Sequence, residues 1–282
     1  MTKLTRPTEV RALLEKIGVR PGKSMGQNFL IDANILDILI TIADLQPEDR
    51  VLEVGPGLGV LTEQLLAKAA HLTAVEKDVK LYSYVNERFA GQSKLKLLHG
   101  DALRMNLNEM LESGITKIIS NLPYSIGSRF IVDALGCDTQ PERMVFTLQR
   151  EVALRLVAKP SCKDYGVMTV LAQLEHEVSI EKHIRPGSFH PEPEVLSSIM
   201  LFKRRETALA PIHDRRAFRE FIKACFAQRR KKLINTLVRV ASNQTSDEIQ
   251  RNLDVLGIDG NLRPENLSVT QWGVLAERLG RN

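Results

Sequence analysis

Short, almost wholly apolar runs alternate along this chain with longer stretches in which apolar residues recur every three or four positions. The runs are VLEV (51–54), LTAV (72–75), LKLL (95–98), KIIS (117–120) and MVFTL (144–148). Such runs, bounded by Gly, Pro or charge, predict strands buried on both faces. VLTEQLLAKA (60–69), the segment ending at Phe89 and the later intervals predict helices between them. Strands alternating with helices predict a parallel, doubly wound α/β sheet. Upstream, the pattern predicts a helix from Pro7 to Ile17 and a turn at Arg20-Pro21-Gly22. Asp32 is the expected N-cap of a helix through ANILDILITIAD, with Ile35, Leu36, Leu39 and Ile42 on one face. Downstream, VSIEKHI (178–184) and SSIMLF (197–202) predict a hairpin-type pair at the sheet edge, flanking the Pro-rich RPGSFHPEPE.

After Arg205 the strand signal ends. AFREFIKACFAQRRKKLINTLVRVA reads as helical throughout, with Phe218, Phe221, Ile222, Cys225, Phe226, Leu233 and Leu237 apolar. Further short helices are expected around SDEIQRNLDVLG and TQWGVLAERLG. The expected organisation is therefore a sheet-based domain over residues 1–204 and a small all-helical domain over 205–282. Its 282 residues suffice for one large and one small domain. The net charge of +5 is unevenly placed. From Lys203 to Asn282 there are 16 Lys and Arg against 9 Asp and Glu, and in the remainder 23 against 25. A basic C-terminal end is the footprint expected of a polyanion partner, or of a merely soluble basic helical domain.

Other classes are disfavoured. No apolar stretch approaches the length of a membrane span, and the charged N-terminus lacks the apolar core of a secretory signal. Cys137, Cys162 and Cys225 are odd in number and far apart, which fits a reducing cytosol rather than a disulfide framework. No Cys or His pair has zinc spacing, and no metal is expected.

The chemistry-bearing residues follow the strands. EVGPGLG (53–59) joins the first strand of the repeat to a helix, and glycines at 55, 57 and 59 allow close backbone approach to a ligand. Val60 stands where the dinucleotide fingerprint needs its last glycine. Glu76 ends the second strand, where a carboxylate can accept both hydroxyls of a ribose. Asp101 follows the third strand and could accept from an adenine amino group. Each alone reads better as a solvated carboxylate. Together, at the C-terminal ends of consecutive strands, they mark the crevice where ligands bind in open α/β sheets. Adenine and ribose without a pyrophosphate site fit S-adenosylmethionine better than NAD.

N-L-P-Y (121–124) leaves the fourth strand at the same edge. Such a tetrapeptide is usually only a turn. Beside a methyl donor it can do more. The Asn121 side-chain oxygen and the Leu122 carbonyl could accept from the two hydrogens of an adenine N6 amine, freeing its lone pair. Pro123 would stiffen the turn, and Tyr124 could stack on the base and favour its developing positive charge. Phe189 is either a hydrophobic anchor in the Pro-rich connection or a wall for the second face of the base.

These motifs, in this order, resemble the ribosomal RNA adenine N6-dimethyltransferase family, over nearly the whole chain. GQNFLID (26–32), EVGPGLGVLT (53–62), VEKD (75–78), GDAL (100–103) and NLPY (121–124) carry the likeness. So do LQREVALRLVA (148–158), DYGVMTVLAQ (164–173), FHPEPEV-S (189–197) and QRRKKLINTL (228–237). Ser125 departs from the Asn common after the tetrapeptide, and Lys77 from the apolar or small residue common in VEKD. The resemblance implies a Rossmann-like S-adenosylmethionine-dependent methyltransferase fold with a helical C-terminal rRNA-binding domain. It implies S-adenosylmethionine bound by Asn28, Leu30, Gly55, Glu76, Asp101 and Asn121. It also implies a target amine held by Asn121, Leu122, Pro123 and Tyr124, with Phe189 on the base. The substrate would be two adjacent adenosines near the 3′ end of small-subunit rRNA, in a partly assembled 30S particle. Arg229, Arg230, Lys231 and Lys232 would meet phosphates. A cytoplasmic monomer without membrane attachment is expected. An adenine-N6 DNA methyltransferase, or a non-catalytic assembly protein of the same fold, are the competing readings.

Overall fold

The computed structural model describes residues 4, 6–22, 25–241 and 244–279. The chain divides into two compact units: residues 1–134, 139–153 and 179–203 form one, and 135–138, 154–178 and 204–282 the other. The second unit therefore takes in more than the tail after residue 204: segments 135–138 and 154–178 belong to it as well.

The first unit opens with helix α1 (Pro7–Lys16), started by a proline that has no amide hydrogen to leave unpaired. A two-residue strand β1 (Phe29–Leu30) precedes α2 (Ala33–Ala43). Asp32 caps α2, accepting from the backbone N–H groups of Asn34 and Ile35 at 3.0 and 3.3 Å. Next come β2 (Arg50–Val54), α3 (Val60–Lys68), β3 (His71–Glu76), α4 (Val79–Arg88), β4 (Leu95–His99) and α5 (Leu107–Glu112). They are followed by β5 (Lys117–Asn121), α6 (Gly127–Leu135), β6 (Arg143–Gln149) and α7 (Arg150–Leu156). Strand β7 (His176–Ile184) follows helix α8 (Val167–Glu175), which belongs to the second unit. A 3-10 turn at Pro186–Ser188, β8 (Phe189–His190) and β9 (Ser197–Arg204) complete the strands.

The main sheet has the order β4-β3-β2-β5-β6-β9-β7. Strands β2 to β6 pair in parallel, and β9 runs antiparallel to β6. The expected edge pair is thus present, with β9 inserted between β6 and the edge strand β7. The order reverses between β2 and β5, so a crevice opens beyond their C-terminal ends. The core residues Leu39, Val51, Leu65, Leu72, Ile119 and Val145 are fully or almost fully buried. Strands β1 and β8 form a separate antiparallel ribbon, with Leu30 opposite Phe189. Two-residue strands leave no periodicity to read, and this ribbon is absent from the expectations above.

The second unit holds α8, α9 (Arg215–Ala227), α10 (Leu233–Val240), α11 (Ser246–Val255) and α12 (Val269–Leu279). Trp272 is buried at its centre, 6.4 Å from the Phe221 ring and 5.5 Å from that of Phe226. The helix expected to run through QRRKK is instead broken there. Backbone hydrogen-bonded turns occupy 228–230, a bend follows at 231, and α10 starts afresh at Leu233. Leu233 N–H donates to the Leu262 carbonyl at 2.7 Å, a partner outside its own helix. Consecutive basic side chains are thereby presented on a turn rather than a helix face.

Candidate active site

The site is built on the turn after β2. Gly55, Gly57 and Gly59 adopt positive φ of 71°, 59° and 75°, a conformation that penalises a side chain. Space closes the same positions: a Cβ on Gly57 would lie 3.1 Å from the Phe29 ring, and one on Gly59 2.6 Å from that of Phe89. The turn therefore offers bare backbone at the start of α3.

Glu76, last in β3, is 5% exposed. Burial pushes its carboxyl above the usual range, opposed by hydrogen bonds from the N–H groups of Asp78 and Gly57 at 2.9 and 3.1 Å. Those two bonds fix the carboxylate plane and leave further lone pairs for a ligand. Asp101 accepts from Leu103 N–H at 3.0 Å and pairs with Lys77 Nζ at 3.0 Å. The Lys77 bond holds its carboxyl below the usual range. Lys77, at the departure from the common VEKD pattern, thus has a partner across the crevice. Glu53 is the third carboxyl here. It is 1% exposed, accepts from the Thr62 hydroxyl at 2.7 Å, and burial raises it to about 8.

One cavity is walled by all six residues expected at the donor: Asn28, Leu30, Gly55, Glu76, Asp101 and Asn121. Pro123 joins them, while the buried Leu122 side chain, Tyr124 and Phe189 lie outside its wall. The titratable groups lining it, among the described residues, are Glu53, Glu76, Asp101 and Lys77. With Glu53 protonated at neutral pH and Lys77 already paired with Asp101, the described wall offers no unpaired cation and suits a nucleoside with a neutral or cationic appendage.

The N-L-P-Y turn is tied down from several sides. Asn121 Nδ2–H donates to the Asn28 carbonyl at 3.0 Å, and Asn121 Oδ1 accepts from the Thr147 hydroxyl. Tyr124 N–H donates to the Gly26 carbonyl at 3.3 Å, and the Ser125 hydroxyl to that of Met25 at 3.0 Å. The Tyr124 hydroxyl bonds to Ser197, and burial raises its pKa. Phe189 is 1% exposed within the apolar core. Its ring stands edge-on to Tyr124, 6.5 Å away at 71°. Gly26 and Ser197 stand in motifs read from the sequence but without these partners, and Thr147 stands in none. Their contacts join segments far apart in the chain, which no local pattern records.

The family described as ribosomal RNA adenine dimethylase matches residues 20–280. This chain belongs to that family. The small-subunit rRNA methyltransferase A of Geobacter metallireducens is 38% identical over 265 residues, covering 93% of this chain and 96% of the relative. Its namesake from Listeria monocytogenes is 35% identical over 285 residues, covering 98% and 97%. Among solved structures, a dimethyladenosine transferase from Plasmodium falciparum superposes with a TM-score of 0.76 at 24% identity, covering 89% of this chain and 96% of that one. The 23S rRNA methyltransferase ErmE superposes at 0.65 with 25% identity, covering 90% and 100%. The α/β sheet is thus a methyltransferase fold, and the chain is an enzyme of the adenine dimethylase family. Among the described residues no helix is long and apolar enough to cross a membrane, and no cluster of His, Cys, Asp and Glu could hold a metal.

Proposed function

We propose that this enzyme transfers methyl groups from S-adenosylmethionine to N6 of two adjacent adenosines in the 3′-terminal hairpin of small-subunit rRNA, two per base, during small-subunit assembly. The observation that carries the proposal is the shared cavity. The amide of Asn121 and the carboxyl of Glu76 line one space together with the glycine turn and Asp101. Glu76 would accept from the donor's ribose hydroxyls and Asp101 from its adenine amine. Gly55 would give close backbone approach, and Asn28 and Leu30 would cover it. When bound, the donor supplies an electrophilic methyl group on a sulfonium.

The chain's part in the chemistry is to shape the target amine. Asn121 Oδ1 and the Leu122 carbonyl accept its two hydrogens and draw the nitrogen toward a pyramidal form. Pro123 holds the two acceptors in register, and such positioning supplies most of the rate. Tyr124 stacks on the base and favours the charge that develops on it, an effect of roughly 0.5–2 kcal/mol. No strong general base is needed, since the product ammonium gives its proton to water readily. The base must leave any stack to arrive there. Phe189 would meet its second face after turning out of the edge-on packing against Tyr124.

Of the basic turn, Arg229 is held by Glu265 and donates to the Cys162 and Lys163 carbonyls, and Lys232 Nζ donates to Asn261 at 2.8 Å. Arg230 and Lys231 are exposed and are the better phosphate contacts. The proposal includes a 30S precursor as substrate and a cytoplasmic monomer. The names of the more similar relatives favour the small subunit over the large. Labelled methyl transfer to under-methylated small subunits, naked rRNA of each subunit and duplex DNA tests this, with mass spectrometry of the product. Dimethyladenosine in small subunits alone is expected. Label confined to large-subunit rRNA or DNA refutes the substrate, and an Asn121→Ala variant with full activity refutes the mechanism.

A further inference from the structure

The amide proposed to accept the target amine is gripped at both ends, and one grip comes from a residue with no other evident duty. Thr147 lies in β6 directly across from Asn121 in β5. It is completely buried, at 0% exposure. Its hydroxyl donates to Asn121 Oδ1, while Asn121 Nδ2–H donates to the Asn28 carbonyl at 3.0 Å. The second bond settles which end of the amide is which. Reversed, the amide oxygen would face a carbonyl oxygen, and both would lack a proton.

We propose that Thr147 is the positioning residue for the Asn121 acceptor: its hydroxyl occupies one lone pair of Oδ1 and leaves the other aimed at the target amine. The inference rests on the catalytic reading of Asn121 given above. An amide oxygen has two in-plane lone pairs about 120° apart. With one bound inside the sheet, the second is confined to the crevice side. Rotation about the last side-chain torsion, which is otherwise broad for Asn, would break both bonds at once. Orientation is therefore set before substrate arrives, the condition under which a hydrogen-bond acceptor contributes most to rate. Thr147 touches neither donor nor base in this scheme and acts through Asn121 alone.

The test uses the full chain and under-methylated small subunits. Thr147→Val keeps the shape and removes the hydroxyl. It is expected to lower kcat by about ten- to a hundredfold, the scale of a misplaced catalytic group. The KM for subunits should change by less than about twofold, and the Kd for donor measured by calorimetry by far less than kcat, since of the donor residues only Asn121 is affected while Glu76 and Asp101 are untouched. Thr147→Ser, which restores the donor, should recover most of kcat. In ¹⁵N-labelled protein the Asn121 side-chain NH₂ pair, assigned by its loss in Asn121→Ala, should shift and exchange faster in Thr147→Val and return in Thr147→Ser. If the valine variant does not fold, Thr147→Ala against Thr147→Ser makes the same comparison. A hydroxyl-free variant with wild-type kcat overturns the proposal, as does a serine variant no better than valine. Failure of the underlying reading looks different: Asn121→Ala would then stay active, while the amide spectrum would still respond to Thr147.

Discussion

Glu53 offers the sharpest quantitative test of the structure. Its carboxyl sits beneath the glycine turn, 1% exposed, with one hydroxyl donor, Thr62, at 2.7 Å. Burial is the largest influence on it, and the nearby Glu76 adds repulsion, so its pKa rises from 4.5 to about 8. In the unfolded chain it would ionise near the ordinary value. Between pH 4.5 and about 8 the folded chain therefore keeps a proton that the unfolded chain has released. Its contribution is fully present below the lower value and is lost as pH rises through the upper one. Over 3.5 pH units at 1.36 kcal/mol each, the loss is about 5 kcal/mol. Glu53→Gln, neutral at every pH, should lack this slope and gain on the wild type by that amount between pH 4 and 9. The only tryptophan, Trp272, belongs to the other unit and would report on the wrong transition. Hydrogen exchange of the β2 amides, converted to opening free energies, reads the correct one. A wild-type-minus-variant difference that stays flat from pH 5 to 8 would refute the reasoning. So would a Glu53 carboxyl ¹³C signal that titrates near 4.5.

Three further outcomes follow from other contacts. Gly26 has φ +63°, and a Cβ there would lie 2.6 Å from Ser125 N and 2.9 Å from Tyr124 N. Gly26→Ala should cost about 1–2 kcal/mol for the backbone alone and lower kcat at least about tenfold by displacing the target turn, read by thermal melts beside methyl transfer. Asp32 caps α2 and also accepts from the Ser188 hydroxyl at 2.9 Å. Asp32→Ala should destabilise the first unit by about 1–2 kcal/mol in β2 amide exchange, with Asp32→Asn retaining most of the cap. Lys77→Met removes the leading cause of the low Asp101 pKa, so the carboxyl ¹³C titration of Asp101 should move up toward 3.8. With Lys77 54% exposed, stability should change by less than about 1 kcal/mol, and only above the Asp101 pKa, where the pair is ionised.

Most of the residues walling the cavity were legible in the sequence, and the setting of the N-L-P-Y turn only in part. Gly55, Glu76 and Asp101 each follow a strand whose apolar run is local and unbroken, so the alternation of strands and helices alone carries them to one edge. Asp32 was equally readable, because an N-cap is a relation between neighbours. The break in the C-terminal helix was not. Phe226 and Leu233 are seven residues apart, two helical turns, so the apolar rhythm passes through QRRKK as though the helix did too. The β1–β8 ribbon joins positions 29 and 190 through two residues on each side, too few for any period. It bears on the proposed function, because it sets Leu30, in the cavity wall, opposite Phe189.

Thr147 and Asn121 show where the remaining limit lies. Each stands near the end of its own apolar run, and nothing in either run refers to the other. They meet because β5 and β6 are neighbours in parallel register, a fact of the whole sheet. A tetrapeptide can announce that an amide and a carbonyl stand at the crevice. It cannot say which lone pair of that amide is already taken. The chemistry proposed here needs the free one to face the target amine, so the residue that settles the matter is one the motif does not contain.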